Sequence, residues 1–155
     1  MLWKLRARIG YQVARWLLRF PKLVAQPRAW QWMQGQYARM AALGDLPAQS
    51  FYGHLLLHRG HGFGAREEGI RLLRLAARAG DGKSAYQLGV LSLAGDPRQA
   101  PDAAEAARWW SLAAEAGHPL AARKLADLYR DGGPGLEPDV EAAERMARRA
   151  GELGL

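Results

Sequence analysis

The sequence has no cysteine among its 155 residues. Disulfides, zinc–thiolate centres and a cysteine nucleophile are therefore excluded. Acid is missing from the first 40 residues, which instead carry Lys4, Arg6, Arg8, Arg15, Arg19, Lys22, Arg28 and Arg39. Residues 41–155 hold 14 basic and 15 acidic side chains, so the net charge of +7 is +8 from the first 40 residues and −1 from the rest. Such a local excess directs partner choice more than a global isoelectric point does. Long apolar runs are also missing, and nothing approaches the roughly 18 consecutive apolar residues of a membrane span. Arg15 and Arg19 interrupt any secretory h-region, and no small-residue cleavage site follows. The expected location is the cytoplasm, with contact at the inner face of a membrane left open. Strand-like alternation is absent throughout, which points to an all-α chain.

What the sequence does have is a repeat. Alanine-rich runs end in glycine at "MAALGD" (Gly44), "AARAGD" (Gly80), "AAEAGH" (Gly117) and "RAGELG" (Gly154), with gaps of 36, 37 and 37 residues. Leu88 and Leu125, Gly95 and Gly132, Pro101 and Pro138, Asp102 and Asp139, Ala106 and Ala143, and Ala113 and Ala150 are each 37 apart. Each unit reads as two helices, the first over residues 48–59, 84–94 and 120–130. Asp102 is placed to cap the second helix of its unit, with Glu105 completing a capping-box pattern, and Asp139 repeats the cap.

The pattern resembles the Sel-one-like repeat, a helical hairpin related to the tetratricopeptide repeat. The resemblance rests on Ser84, Leu88, Gly89, Gly95, Asp102, Ala106, Trp109, Ala113, Ala114 and Gly117. The next unit matches through Ala121, Leu125, Ala126, Leu128, Tyr129, Gly132, Asp139, Ala143, Met146, Ala150 and Gly151. The preceding unit is weaker: Ala48, Tyr52, Gly53 and Gly60 fit, but Ala65 stands in the aspartate slot and Gly69 in the alanine slot. The resemblance implies a right-handed α-solenoid of antiparallel helix pairs, with about three repeats (44–79, 80–116 and 117–154) after an N-terminal helical hairpin over 1–43. It also implies a non-enzymatic adaptor or scaffold that binds a protein or peptide on a concave face, with no cofactor.

The N-terminal segment "MLWKLRARIGYQVARWLLRF" is amphipathic. Leu2, Leu5, Ile9, Val13, Trp16, Leu17 and Phe20 share one helical face, and Lys4, Arg8, Arg15 and Arg19 cluster on another. Pro21 is expected to end this helix and Pro27 to start the next. The segment either pairs with that next helix as a degenerate repeat or lies on an anionic membrane with its arginines toward the headgroups. Lys4, Arg8, Arg15 and Arg19 are the candidate contacts to lipid or an acidic partner. No nucleic acid is expected, because no recognised binding motif accompanies the arginines.

In helical-hairpin solenoids the first helix of each pair generally lines the groove. Removing the packing slots leaves Phe51, His54, His58, Gln87, Lys124 and Asp127 as candidate partner contacts, for an interface of about 1,000–1,200 Å². His54 and His58 are spaced i,i+4, so a shared metal ion is an alternative reading, but no acid stands at a ligand spacing and no metal ligand is assigned. The glycines of "RGHGFG" lack the strand and the Gly-Lys-Ser/Thr of a phosphate loop and read as a turn. The pair Trp109–Trp110 occupies slots that are Leu72–Leu73 one unit earlier. It therefore reads as packing, with Trp110 nearer the core and Trp109 at its edge.

Overall fold

The computed structural model describes every residue from Met1 to Leu155 as a succession of nine helices with no strand. They are α1 (Leu2–Leu17), α2 (Pro21–Val24), α3 (Pro27–Ala42), α4 (Leu46–Arg59), α5 (Ala65–Arg78), α6 (Gly82–Ala94), α7 (Ala103–Glu115), α8 (Pro119–Asp131) and α9 (Val140–Glu152). Two compact units divide the chain, residues 1–72 and residues 73–155.

In the first unit, α3 packs against both α1 and α4. The core gathers Ala7, Tyr11, Ala14, Met33, Tyr37, Met40, Ala41, Ala48 and Leu72. Tyr11 and Tyr37 meet edge to face, with centroids 5.1 Å apart, and Phe51 stacks on Tyr37 at 4.4 Å. Gly69 in α5 lies so close to Gly53 O and Leu57 N of α4 that a Cβ would sit 2.9 Å from each. Glycine in the alanine slot therefore allows a tighter crossing of two helices.

In the second unit, α6 packs with α7, α7 with α8, and α8 with α9. Here the 37-residue offset is visible in the backbone. Asp102 N donates to Ser92 O at 2.8 Å, and Asp139 N donates to Tyr129 O at 2.7 Å. Small turns close between Asp96 and Gln99 and again between Gly133 and Leu136. Ala103 N also donates to Pro134 O at 2.8 Å, tying one turn to the start of the preceding hairpin's second helix. Alanine makes this closeness possible: Ala103, Ala106, Ala113, Ala121, Ala122 and Ala126 are all buried.

Every helix from α4 onward except α5 starts at a side-chain cap. Asp45, Asp81, Asp102 and Asp139 accept from the backbone N–H three residues on, at 2.8–2.9 Å. His118 does the same through Nδ1, accepting from Ala121 N at 3.2 Å. Asp45 and Asp81 add two caps to those expected from the sequence, and each follows a helix-ending glycine as His118 does. The capping box at Asp102 is only half present. Asp102 N is already bonded to Ser92 O, so Glu105 turns instead to Gln99 Nε2 at 3.2 Å and Trp109 Nε1 at 3.4 Å.

The N-terminal helix ends earlier than its sequence suggests. α1 stops at Leu17, and Pro21 opens the short α2 rather than closing α1. Phe20 precedes that proline with φ −117° and ψ 82°, outside the helical region that proline denies its predecessor. Arg19 therefore sits in a turn, with its N–H on Trp16 O at 3.1 Å.

Candidate functional site

Trp110 is 3% exposed, while Trp109 is only partly buried. The Trp110 indole N–H donates to Tyr86 O at 3.1 Å, and its ring lies against Gly89, where a Cβ would overlap the indole. Trp110 is thus inserted between α7 and α6, while Trp109 stands at the edge with its indole N–H toward Glu105 of its own helix. Tyr86 continues the row: its ring is stacked on His118 with centroids 4.7 Å apart and 10° between planes. Burial first, and Lys83 second, hold the His118 pKa below its ordinary value. The neutral imidazole is the form that caps α8, because Nδ1 must accept.

The candidate partner contacts fall on first helices. In the first unit Phe51, His54 and His58 lie along α4. Phe51 is exposed at one edge while stacked on Tyr37. The His54 and His58 rings are 6.4 Å apart and nearly parallel, and His54 Nδ1 lies 2.7 Å from Ser50 O. No group of three or more histidine or acidic side chains is placed to hold a metal ion. The turn after α4 uses positive φ at Gly62 and Gly64, and Phe63 between them stands wholly in solvent. In the second unit Gln87 is half-buried on α6, while Lys124 and Asp127 are exposed on α8. Asp127 pairs with Arg130 at 2.9 Å.

The N-terminal helix presents a different surface. It packs on α3 through Ala7, Tyr11 and Ala14, with Leu17 partly buried at its end, and leaves its other large apolar residues outside. Leu2, Leu5, Ile9, Val13 and Trp16 are exposed, Ile9 by 56%. The reason is steric. Gly10 lies against the buried Gln36 side chain of α3, where a Cβ would overlap it. Only the small-residue side of α1 approaches that closely. Burial first, and the negative charge of Asp45 second, drive the Tyr11 pKa up. Lys4, Arg8, Arg15 and Arg19 are all exposed. Arg15 lies 5.8 Å from the Tyr11 ring centroid, and Lys4 lies 5.9 Å from that of Trp3. No helix is long and apolar enough to cross a membrane.

Helix pairs, aspartate caps and alanine seams at one spacing call for comparison with known repeats. The Sel1 repeat matches three times in succession, at residues 46–81, 82–118 and 119–155. The chain belongs to the Sel1 repeat family. A Sel1 repeat protein from Oxalobacter formigenes superposes on 96% of this chain and 59% of its own, with a TM-score of 0.75 and 21% identity. A protective antigen of uropathogenic Escherichia coli strains, which displays the SLR fold, is similar over 79% of this chain and 26% of its own. Its TM-score is 0.67 and its identity 21%. The chain thus spans about three-fifths of the first structure and a quarter of the second, and at this identity the likeness is one of fold: the all-α Sel1 solenoid. A search of the curated proteins finds no match. Sel1 repeat proteins are generally protein–protein interaction modules and helical scaffolds.

Proposed function

We propose that this Sel1 repeat chain is a non-enzymatic adaptor that captures a segment of another protein through the outward residues of its first helices. The observation that carries this reading is the division of labour on those helices. In α8, Ala121, Ala122, Leu125 and Ala126 are buried, while Lys124 and Asp127 stay outside the seam. In α4, Ala48 and Gly53 are taken up by packing and His58 is not. Side chains that packing does not use are free to recognise a partner, and mixed charge, amide and imidazole suit hydrogen bonding to an extended peptide.

The test is affinity capture with the full chain, followed by crosslink mapping. Crosslinks should concentrate on α4, α6 and α8. The double substitution Lys124→Glu with Asp127→Lys should weaken capture at least tenfold without altering the circular dichroism spectrum. Capture unchanged by that variant, with crosslinks confined to α7 and α9, would overturn the assignment of the face.

A further inference from the structure

The stripe that α1 turns to solvent is a run of exposed apolar side chains, Leu2, Leu5, Ile9, Val13 and Trp16. At about 100° per residue, Ile9 points roughly opposite the face formed by Ala7, Tyr11 and Ala14. Leu5, Trp16, Leu2 and Val13 fall on either side of it. Toward α3, Trp3, Ile9, Val13 and Trp32 line an open groove together with Arg6 and Arg39. Docking α1 in the fold therefore does not hide its apolar face.

We infer that α1 docks the protein on an anionic lipid surface, lying in the plane of the interface with the apolar stripe inward and its cations toward the headgroups. Charge complementarity identifies the occupant. Eight cations and no acid occur in residues 1–40, and Lys4, Arg8 and Arg15 form a flank between the packed face and the stripe. Anionic headgroups attract such a flank, and acyl chains accept the stripe. Trp3 and Trp16, both more than half exposed, are the side-chain type that favours the headgroup level. A second copy fits less well, since apposing two such helices sets like charges against each other. Nucleic acid would engage the arginines and leave the stripe in water. This inference stands apart from the adaptor reading, because the stripe shares no residue with the first-helix contacts.

The test is sedimentation of the full chain with vesicles of phosphatidylcholine alone or mixed with phosphatidylglycerol. Binding is expected to the mixed vesicles at low salt, to be weak on neutral vesicles, and to fall as salt rises. The variant Arg8→Gln, Arg15→Gln, Arg19→Gln should bind anionic vesicles on the order of a hundredfold more weakly, at about fivefold per arginine. The variant Leu5→Gln, Ile9→Gln, Val13→Gln keeps every charge and should still lose more than about tenfold. None of these six side chains is buried in the core, so both variants should keep the wild-type circular dichroism. The idea is overturned if the folded wild type ignores anionic vesicles at low salt, or if the glutamine stripe binds them as wild type does. It is also overturned if the stripe variant converts a wild-type dimer to a monomer, which would assign the face to a second copy. Oligonucleotide binding that matches vesicle binding and survives the stripe variant would overturn it as well.

Discussion

At the scale of single residues, Trp110 and His118 illustrate what position does to a side chain. Trp110→Ala removes a buried ring and should cost about 3–5 kcal/mol in denaturant unfolding. Trp109→Ala, at the edge, should cost less. Gly89→Ala should be destabilising by about 1–3 kcal/mol, because the new methyl displaces the Trp110 indole. Helix propensity alone would predict a gain of about 1 kcal/mol from the same change. His118 makes stability depend on pH. Its folded pKa is depressed, so the unfolded chain takes up the proton first as acid is added. Stability is full above the ordinary histidine value near 6.5 and declines as pH falls below it toward the depressed folded value. His118→Asp should keep the cap, as Asp81 and Asp139 do in their helices, and remove that part of the acid sensitivity. Thermal midpoints of the two proteins across pH 5 to 8 check this. That Trp110 is the inserted member of the pair was legible in the sequence from its place nearer the centre of the helix's apolar face. That Tyr86 bridges it to His118 was not, because a first-helix aromatic carries no sign of the ring it will stack upon.

At the scale of elements, the helices of the repeats were readable, though the first helices begin one or two residues before the expected positions, at caps such as Asp45 and Asp81 that the repeat pattern did not mark. Asp102 and Asp139 marked α7 and α9 correctly. Glu105 did not close its box, since the Ser92 carbonyl had already taken the Asp102 N–H. The face that α1 would bury was misleading for a different reason. Amphipathicity names the most apolar side, whereas the packed side is set by how closely two helices can approach, and that favoured Ala7, Gly10 and Ala14. The two faces should respond oppositely to substitution. Ala14→Leu should cost about 1–3 kcal/mol through overpacking, while Ile9→Gln should stay within about 0.5 kcal/mol. Chemical denaturation of both variants measures the contrast.

At the scale of the whole molecule, the 37-residue beat made the fold legible in the sequence alone, since each hairpin must bury its apolar face against a neighbour. The candidate contacts were less legible. Subtracting packing slots leaves a set of outward residues, and a sequence does not say which of these a partner meets. The histidine pair shows the same limit: spacing brings His54 and His58 side by side, but a metal also requires ligands from elsewhere, and the fold brings none. Thermal unfolding should accordingly be indifferent to added zinc or to chelator; a midpoint raised by zinc would contradict this. Asp45 is the first acid in the chain; it accepts from Ala48 N at the start of α4, and its charge also bears on Tyr11 of α1. One carboxylate therefore acts on two elements at once. Asp45→Ala removes the cap of α4 and the anion that bears on Tyr11 in a single change, so the hairpin and the repeat it leads into answer to one residue.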